Sequence, residues 1–126
     1  MGVSVQAWRE QQRRQLLDIS SDANVTFREA TEAFIRVQEP LWRNRKHVQP
    51  WRNTLSTYAY SVIGEVRVRD IDIAMIVRIL QPIWTKKPET ARRVRGRIKT
   101  ILGTETVLDH RAGSNPARHA GHLQLV

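Results

Sequence analysis

Apolar residues recur at the spacing of a buried helix face in four stretches of the chain, and turn-forming residues separate each stretch from the next. The first opens at Thr26-Phe27-Arg28-Glu29, where the Thr26 hydroxyl can cap the third helical amide while Glu29 reaches back to the amide of the cap. Phe27, Ala30, Phe34 and Val37 then share one face, and Pro40 ends a helix of about twelve residues because proline has no amide to donate. The second stretch covers residues 45–62, with Val48, Trp51, Leu55, Tyr58 and Val62 in a narrow apolar stripe and Gly64 closing it. Pro50 lies inside this pattern, so either the helix begins at Gln49 or its first turns are kinked.

The third helix takes Asp72 as its cap and runs through Ile73, Ile76, Val77, Leu80 and Trp84. Met75, Ile79 and Ile83 make it apolar almost all round, which predicts the most buried element; Pro82 predicts a kink or stop near Gln81. Pro88 suits the first position of the fourth helix, where its missing amide would have no partner anyway. That helix carries Ala91, Val94, Ile98, Ile101 and Leu102 inward, with Arg92, Arg95 and Lys99 on one flank and Arg93 and Arg97 on the other. Beyond Leu108 the pattern dissolves into a turn and a linker. A weaker stretch precedes all four: over residues 4–19, Trp8, Gln12, Leu16 and Ile19 fall in loose helical register before a polar linker. The reading is therefore all-α: an N-terminal helix and linker (residues 1–24), a four-helix bundle (25–108) and a C-terminal turn and linker (109–126).

Length and composition agree with one domain with tails, since 126 residues bury one core and too few remain for a second. No apolar run approaches the roughly 18 residues of a membrane span, and residues 1–15 lack the apolar segment of a signal peptide, so a soluble cytoplasmic protein is expected. With no cysteine and four histidines lacking paired ligand spacing, no metal or other cofactor is expected.

Charge changes the picture more. Lysine and arginine number 21 against 12 acidic residues, a formal charge of +9, which favours a polyanionic partner: nucleic acid ahead of an anionic membrane surface. Residues 86–99 hold seven cations, Lys86, Lys87, Arg92, Arg93, Arg95, Arg97 and Lys99, against the single anion Glu89. Such a run repels itself unless phosphates screen it; an ordinary solvated face is the alternative reading. Gly96 sits opposite the apolar stripe between the two arginine flanks, where a missing side chain lets a backbone come close, or where a helical glycine is merely tolerated at about 1 kcal/mol relative to alanine. The outward side of the second helix collects Lys46, Gln49, Asn53 and Tyr60, with Arg45 and Arg52 at one flank. Glutamine and asparagine can pair with adenine edges and lysine with guanine acceptors, if this helix enters a major groove. His47 lies near the edge of the apolar stripe and reads as packing or capping. No base, nucleophile and orienting acid converge as covalent catalysis needs. Trp42, Trp51, Trp84 and Tyr58 read as core anchors.

Four segments carry a resemblance. Asn44-Arg45-Lys46-His47-Val48-Gln49-Pro50-Trp51, Leu55-Ser56-Thr57-Tyr58-Ala59-Tyr60-Ser61-Val62-Ile63-Gly64, Leu80-Gln81-Pro82-Ile83-Trp84 and Lys87-Pro88-Glu89-Thr90-Ala91-Arg92-Arg93-Val94-Arg95-Gly96-Arg97-Ile98 resemble, in order and spacing, the core-binding (SAM-like) domain of satellite-phage and genomic-island tyrosine recombinases. Asn115-Pro116-Ala117-Arg118 and Gly121-His122-Leu123 look like the exit toward the catalytic domain. The resemblance covers residues 26–123 and implies a helical bundle that clamps attachment-site core DNA during integration, while a separate domain supplies the arginines, histidine and tyrosine nucleophile. It implies binding without cleavage here, and double-stranded DNA as the partner. Carried over by position, Lys46, His47 and Gln49 on the second helix and Arg92, Arg95 and Lys99 on the fourth are its candidate DNA-facing residues, and the polar and basic faces read above add Arg52, Asn53 and Lys87 to the DNA-binding candidates. Pro50 and Ser61 depart from the family pattern, and Gly103-Thr104-Glu105-Thr106 replaces an aromatic, alanine-rich helix end, which predicts fraying or an early stop. Residues 6–22 faintly resemble the closing helix of the arm-binding domain, so the chain reads as an excised piece or a truncated gene.

Three rivals stand beside the DNA clamp. An enzyme would need Tyr58 or Tyr60 as nucleophile; an integrase remnant would act by binding other recombinase subunits; membrane association would divert the apolar stripe of the fourth helix from the core. The isolated chain is expected to be monomeric and to bind DNA weakly, lacking the effective-concentration gain of a linked catalytic domain.

Overall fold

Thr26 caps the first helix through both halves of the expected box: its hydroxyl accepts from the Glu29 amide at 3.2 Å, and Glu29 Oε1 accepts from the Thr26 amide at 3.1 Å. The computed structural model describes residues 24–42, 46 and 48–119; the helix expected over residues 4–19 and the side chain of His47 lie outside them. The helix that Thr26 starts, α1, spans Phe27–Gln38 and passes into a 3-10 turn, Glu39–Leu41, around Pro40. Its buried face is Phe27, Ala30, Thr31 and Ile35 rather than the expected face ending at Val37, which is 64% exposed. The difference is a rotation toward Ile35, and it leaves Phe34 half-buried, stacked on Trp51 at 5.2 Å.

The expected second helix is two pieces. α2 spans Val48–Tyr58, and α3 spans Tyr60–Ile63 after the turn opens at Ala59, where φ is −103°. Pro50 is the third residue of α2, within the first turn, where a helix has no internal partner for an amide; it therefore starts α2 without breaking it. A 3-10 turn, Val68–Asp70, leads to α4, Ile73–Trp84, which Asp72 caps by accepting from the Met75 amide at 2.9 Å. α4 runs through Pro82 to Trp84, so of the two outcomes expected near Gln81, a kink or a stop, the stop does not occur. It buries Ile76, Ile79, Leu80 and Ile83, four of its twelve residues, a share that α1 equals and that α5, with six of twenty, does not reach; Ile73 is exposed.

α5 spans Pro88–Val107 with proline at its start, as expected. Ala91, Val94, Ile98, Ile101 and Leu102 all turn into the core and are fully buried. The predicted early end does not occur. The Thr104 and Thr106 hydroxyls donate to the carbonyl oxygens of Thr100 and Leu102, and Glu105 is buried against His110. The helix stops where Asp109 takes a left-handed φ of 67°, with the His110 amide donating to Glu105 O (2.9 Å) and the Asp109 amide to Thr106 O (3.1 Å), a Schellman closure.

Ordered packing continues past Leu108, contrary to the expected dissolution into linker. Buried Arg111 donates to the oxygens of Val68, Thr106 and Ser114, and burial lowers its pKa from the ordinary arginine value. A short helix, α6 (Pro116–His119), packs against α4 and α5 with Ala117 fully buried. The result is an all-α fold in which α5 is the central element, touched by α1, α2, α4 and α6. Among the described residues there is no strand, only the isolated bridge between Thr26 and Arg67 that ties the chain entry to the turn after α3.

Candidate functional site

With its apolar stripe consumed by the core, α5 has one outward arc, and its two edges are set by arginines next to each other in sequence but for one glycine. On one edge Arg95 donates to the carbonyl oxygens of Ala117 (2.9 Å) and Arg118 (3.3 Å), and Asn115 Nδ2 donates to Lys99 O at 2.8 Å, fixing the segment around α6. On the other, Arg97 donates to Pro50 O (3.1 Å) and the Thr54 hydroxyl (2.7 Å) and lies over the Trp51 ring at 5.4 Å, fixing α2. Burial, and then the neighbouring Arg93, lower the Arg97 pKa from the ordinary value. Trp51 is itself packed between Phe34 and Trp42, so this arginine completes an aromatic cluster.

Between those edges Arg92, Arg93, Gly96, Lys99 and Thr100 are all exposed. Arg92 pairs with Glu89 one turn before it, both well exposed, an arrangement that a competing anion displaces at small cost. Lys86 and Lys87 stand exposed at the start of the same helix. An alanine methyl built at Gly96 would meet none of the described residues within 4 Å.

α2 lies beside this arc through its Arg97 contacts and presents Gln49 and Asn53 outward, hydrogen-bonded to each other at 2.8 Å, with Lys46 exposed just before the helix. Arg52 of the same helix is engaged by Glu32 of α1 through two hydrogen bonds of 3.1 and 2.9 Å, which raise its pKa above the ordinary value. The structure thus brings Lys46, Gln49, Asn53, Lys87, Arg92 and Lys99 to the surface on two adjoining helices. It gives Arg52 and Arg95 protein partners, and His47 lies outside the described residues. Sequence reasoning missed the tethering roles of Arg95 and Arg97; the signal available was helical angle, since both stand nearer the apolar stripe than Arg92 and Arg93 do.

The surroundings of the two tyrosines suit packing. Tyr58 is half-buried against the core, and Tyr60 lies edge-on to Phe27 with Arg28 over its ring. Burial raises the Tyr60 phenol above its ordinary value, which disfavours the phenolate. Among the described residues no three His, Cys, Asp or Glu side chains come together as a metal would need, and no helix is long and apolar enough to cross a membrane.

A second surface feature lies toward the C-terminal end of α5, where Thr104 stands one turn beyond Thr100 of the basic arc. An apolar groove follows the seam of α1 and the end of α5, lined by Ala33, Val37, Thr104 and Leu108 and reaching Val25 and His110 at one end. Val37, Leu41 and Val107 are exposed.

The family model for the phage integrase central domain matches residues 27–122. Among solved structures, the solution NMR structure of protein Nmul_A0922 from Nitrosospira multiformis is similar, with 46% identity and a TM-score of 0.70 over 75% of this chain and 89% of that one. A search of curated proteins finds no match.

Proposed function

The chain belongs to the phage integrase central-domain family, a membership that indicates a role in site-specific recombination, and from it we propose that this domain clamps double-stranded attachment-site core DNA through the outward arcs of α5 and α2. The observation that carries the reading is the division of labour among the α5 arginines. Arg95 and Arg97 are engaged by the fold, while Arg92, Arg93 and Lys99 extend from one exposed arc. Among the described residues, Arg92 has only the exposed Glu89 beside it, and no packing contact uses the charges of Arg93 and Lys99. Phosphates supply what such a cluster lacks, and each one neutralised releases counterions.

Gln49 and Asn53 are the candidates for reading bases: each offers both a donor and an acceptor, and their mutual bond is exposed and exchangeable for an adenine edge. Lys46, His47 and Lys87 extend the phosphate track, and Arg52 and Arg95 act from its edges, holding α2 and α6 in place. In this reading the domain positions DNA, and cleavage belongs to a separate catalytic domain.

A salt titration of binding to duplex DNA tests this. Wild type follows a steep log–log slope, and an Arg92→Ala, Arg93→Ala, Lys99→Ala variant with unchanged circular dichroism loses about 2 to 3 units of it, near 0.9 per phosphate contact. An unchanged slope places DNA elsewhere.

The groove between α1 and the end of α5 favours a second reading, an integrase remnant that binds other recombinase subunits through Val37, Leu41 and Val107. It predicts co-purification with full-length recombinase in the absence of DNA, abolished by Val37→Glu.

A further inference from the structure

Gly96 occupies the middle of a 20-residue helix, and no contact among the described residues requires a glycine there. Among the described residues nothing lies within 4 Å of an added Cβ, and Gly96 needs no left-handed backbone, so alanine fits the folded helix and would stabilise it. Three exposed cations surround it: Arg92 at i−4, Arg93 at i−3 and Lys99 at i+3, the positions that share a face with it. At the fourth corner Thr100 turns its hydroxyl back onto Gly96 O at 3.0 Å and stays low. The flanking Arg95 and Arg97 hold α6 and α2 at either side, so the surface around the glycine is fixed by the fold.

We propose that Gly96 is the point at which a phosphate of the DNA backbone rests directly against α5, and that its missing side chain sets how closely the duplex approaches. The inference rests on the DNA-clamp reading and sharpens it to one residue. Mid-helix amides are already bonded within the helix, so the glycine supplies closeness rather than donors; the donors are the three cations, whose long side chains fold inward over an anion seated between them. A second copy of this chain is a poor occupant, because the same face would bring its own three cations against these.

The test compares wild type, Gly96→Ala and Gly96→Leu for thermal unfolding and for duplex binding at one low salt concentration, with Ala74→Leu on the exposed first turn of α4 as a bulk control. The proposal expects Gly96→Ala to raise Tm yet weaken DNA binding about fivefold, Gly96→Leu to weaken it tenfold or more, and Ala74→Leu to bind as wild type. Wild-type affinity in Gly96→Leu, with the wild type itself showing steep salt dependence, overturns the inference and leaves the clamp standing. Loss of self-association in Gly96→Leu with DNA binding intact would make the face a protein contact and overturns it as well. Absence of any wild-type binding at low salt overturns the clamp and this inference together.

Discussion

Seven cations within fourteen residues look alike in a sequence, and their neighbours decide what each one does. Arg97 completes an aromatic cluster and bonds α2 at two oxygens, so Arg97→Ala costs about 1 to 3 kcal/mol of stability, measured by urea unfolding, whereas Arg93→Ala stays within about 0.5 kcal/mol. Equal losses would remove the distinction on which the site is built. Tyr60 gives a residue-scale dependence on pH. Burial raises its phenol above the ordinary value near 10, so between that value and the folded-state one the unfolded chain releases a proton that the folded chain keeps, and stability falls as pH rises. Its contribution is complete below the unfolded value. Tyr60→Phe flattens this alkaline decline; an unchanged decline would assign it to other groups.

At the scale of elements, caps and boundaries carry the argument. Thr26→Ala removes one bond of the capping box and destabilises by about 1 kcal/mol, and Glu29→Gln, which keeps an acceptor for the Thr26 amide, costs less. The α6 segment hangs on Arg95, so Arg95→Ala lowers hydrogen-exchange protection across residues 115–119 while leaving the α5 core amides unchanged; uniform loss would show that α6 unfolds only with the whole domain. These caps were legible in the chain because they rest on residues three apart. The inward face of α5 was legible for a related reason, its strict apolar spacing. The face of α1 was not: Thr31 is polar yet buried, and the pattern drew Val37 inward in its place. Nor was the end of α5, where buried Glu105 and His110 meet across a left-handed turn that spacing alone does not reveal.

For the whole molecule, the family and the all-α bundle were readable from four motif segments, while the division between tethering and exposed cations was not, because it depends on where α2 and α6 lie against α5. Their placement frames a basic arc on α5, while α1 and the end of α5 form an apolar groove, two surfaces suited to different partners. Direct discrimination comes from NMR: amide shifts of labelled protein are followed as duplex DNA is added at low salt. The clamp predicts perturbations concentrated at Arg92, Arg93, Gly96, Lys99 and Thr100 of α5 and at Gln49 and Asn53 of α2, with the α1 groove silent. Perturbations centred on Ala33, Val37 and Leu108, or none anywhere, would contradict it.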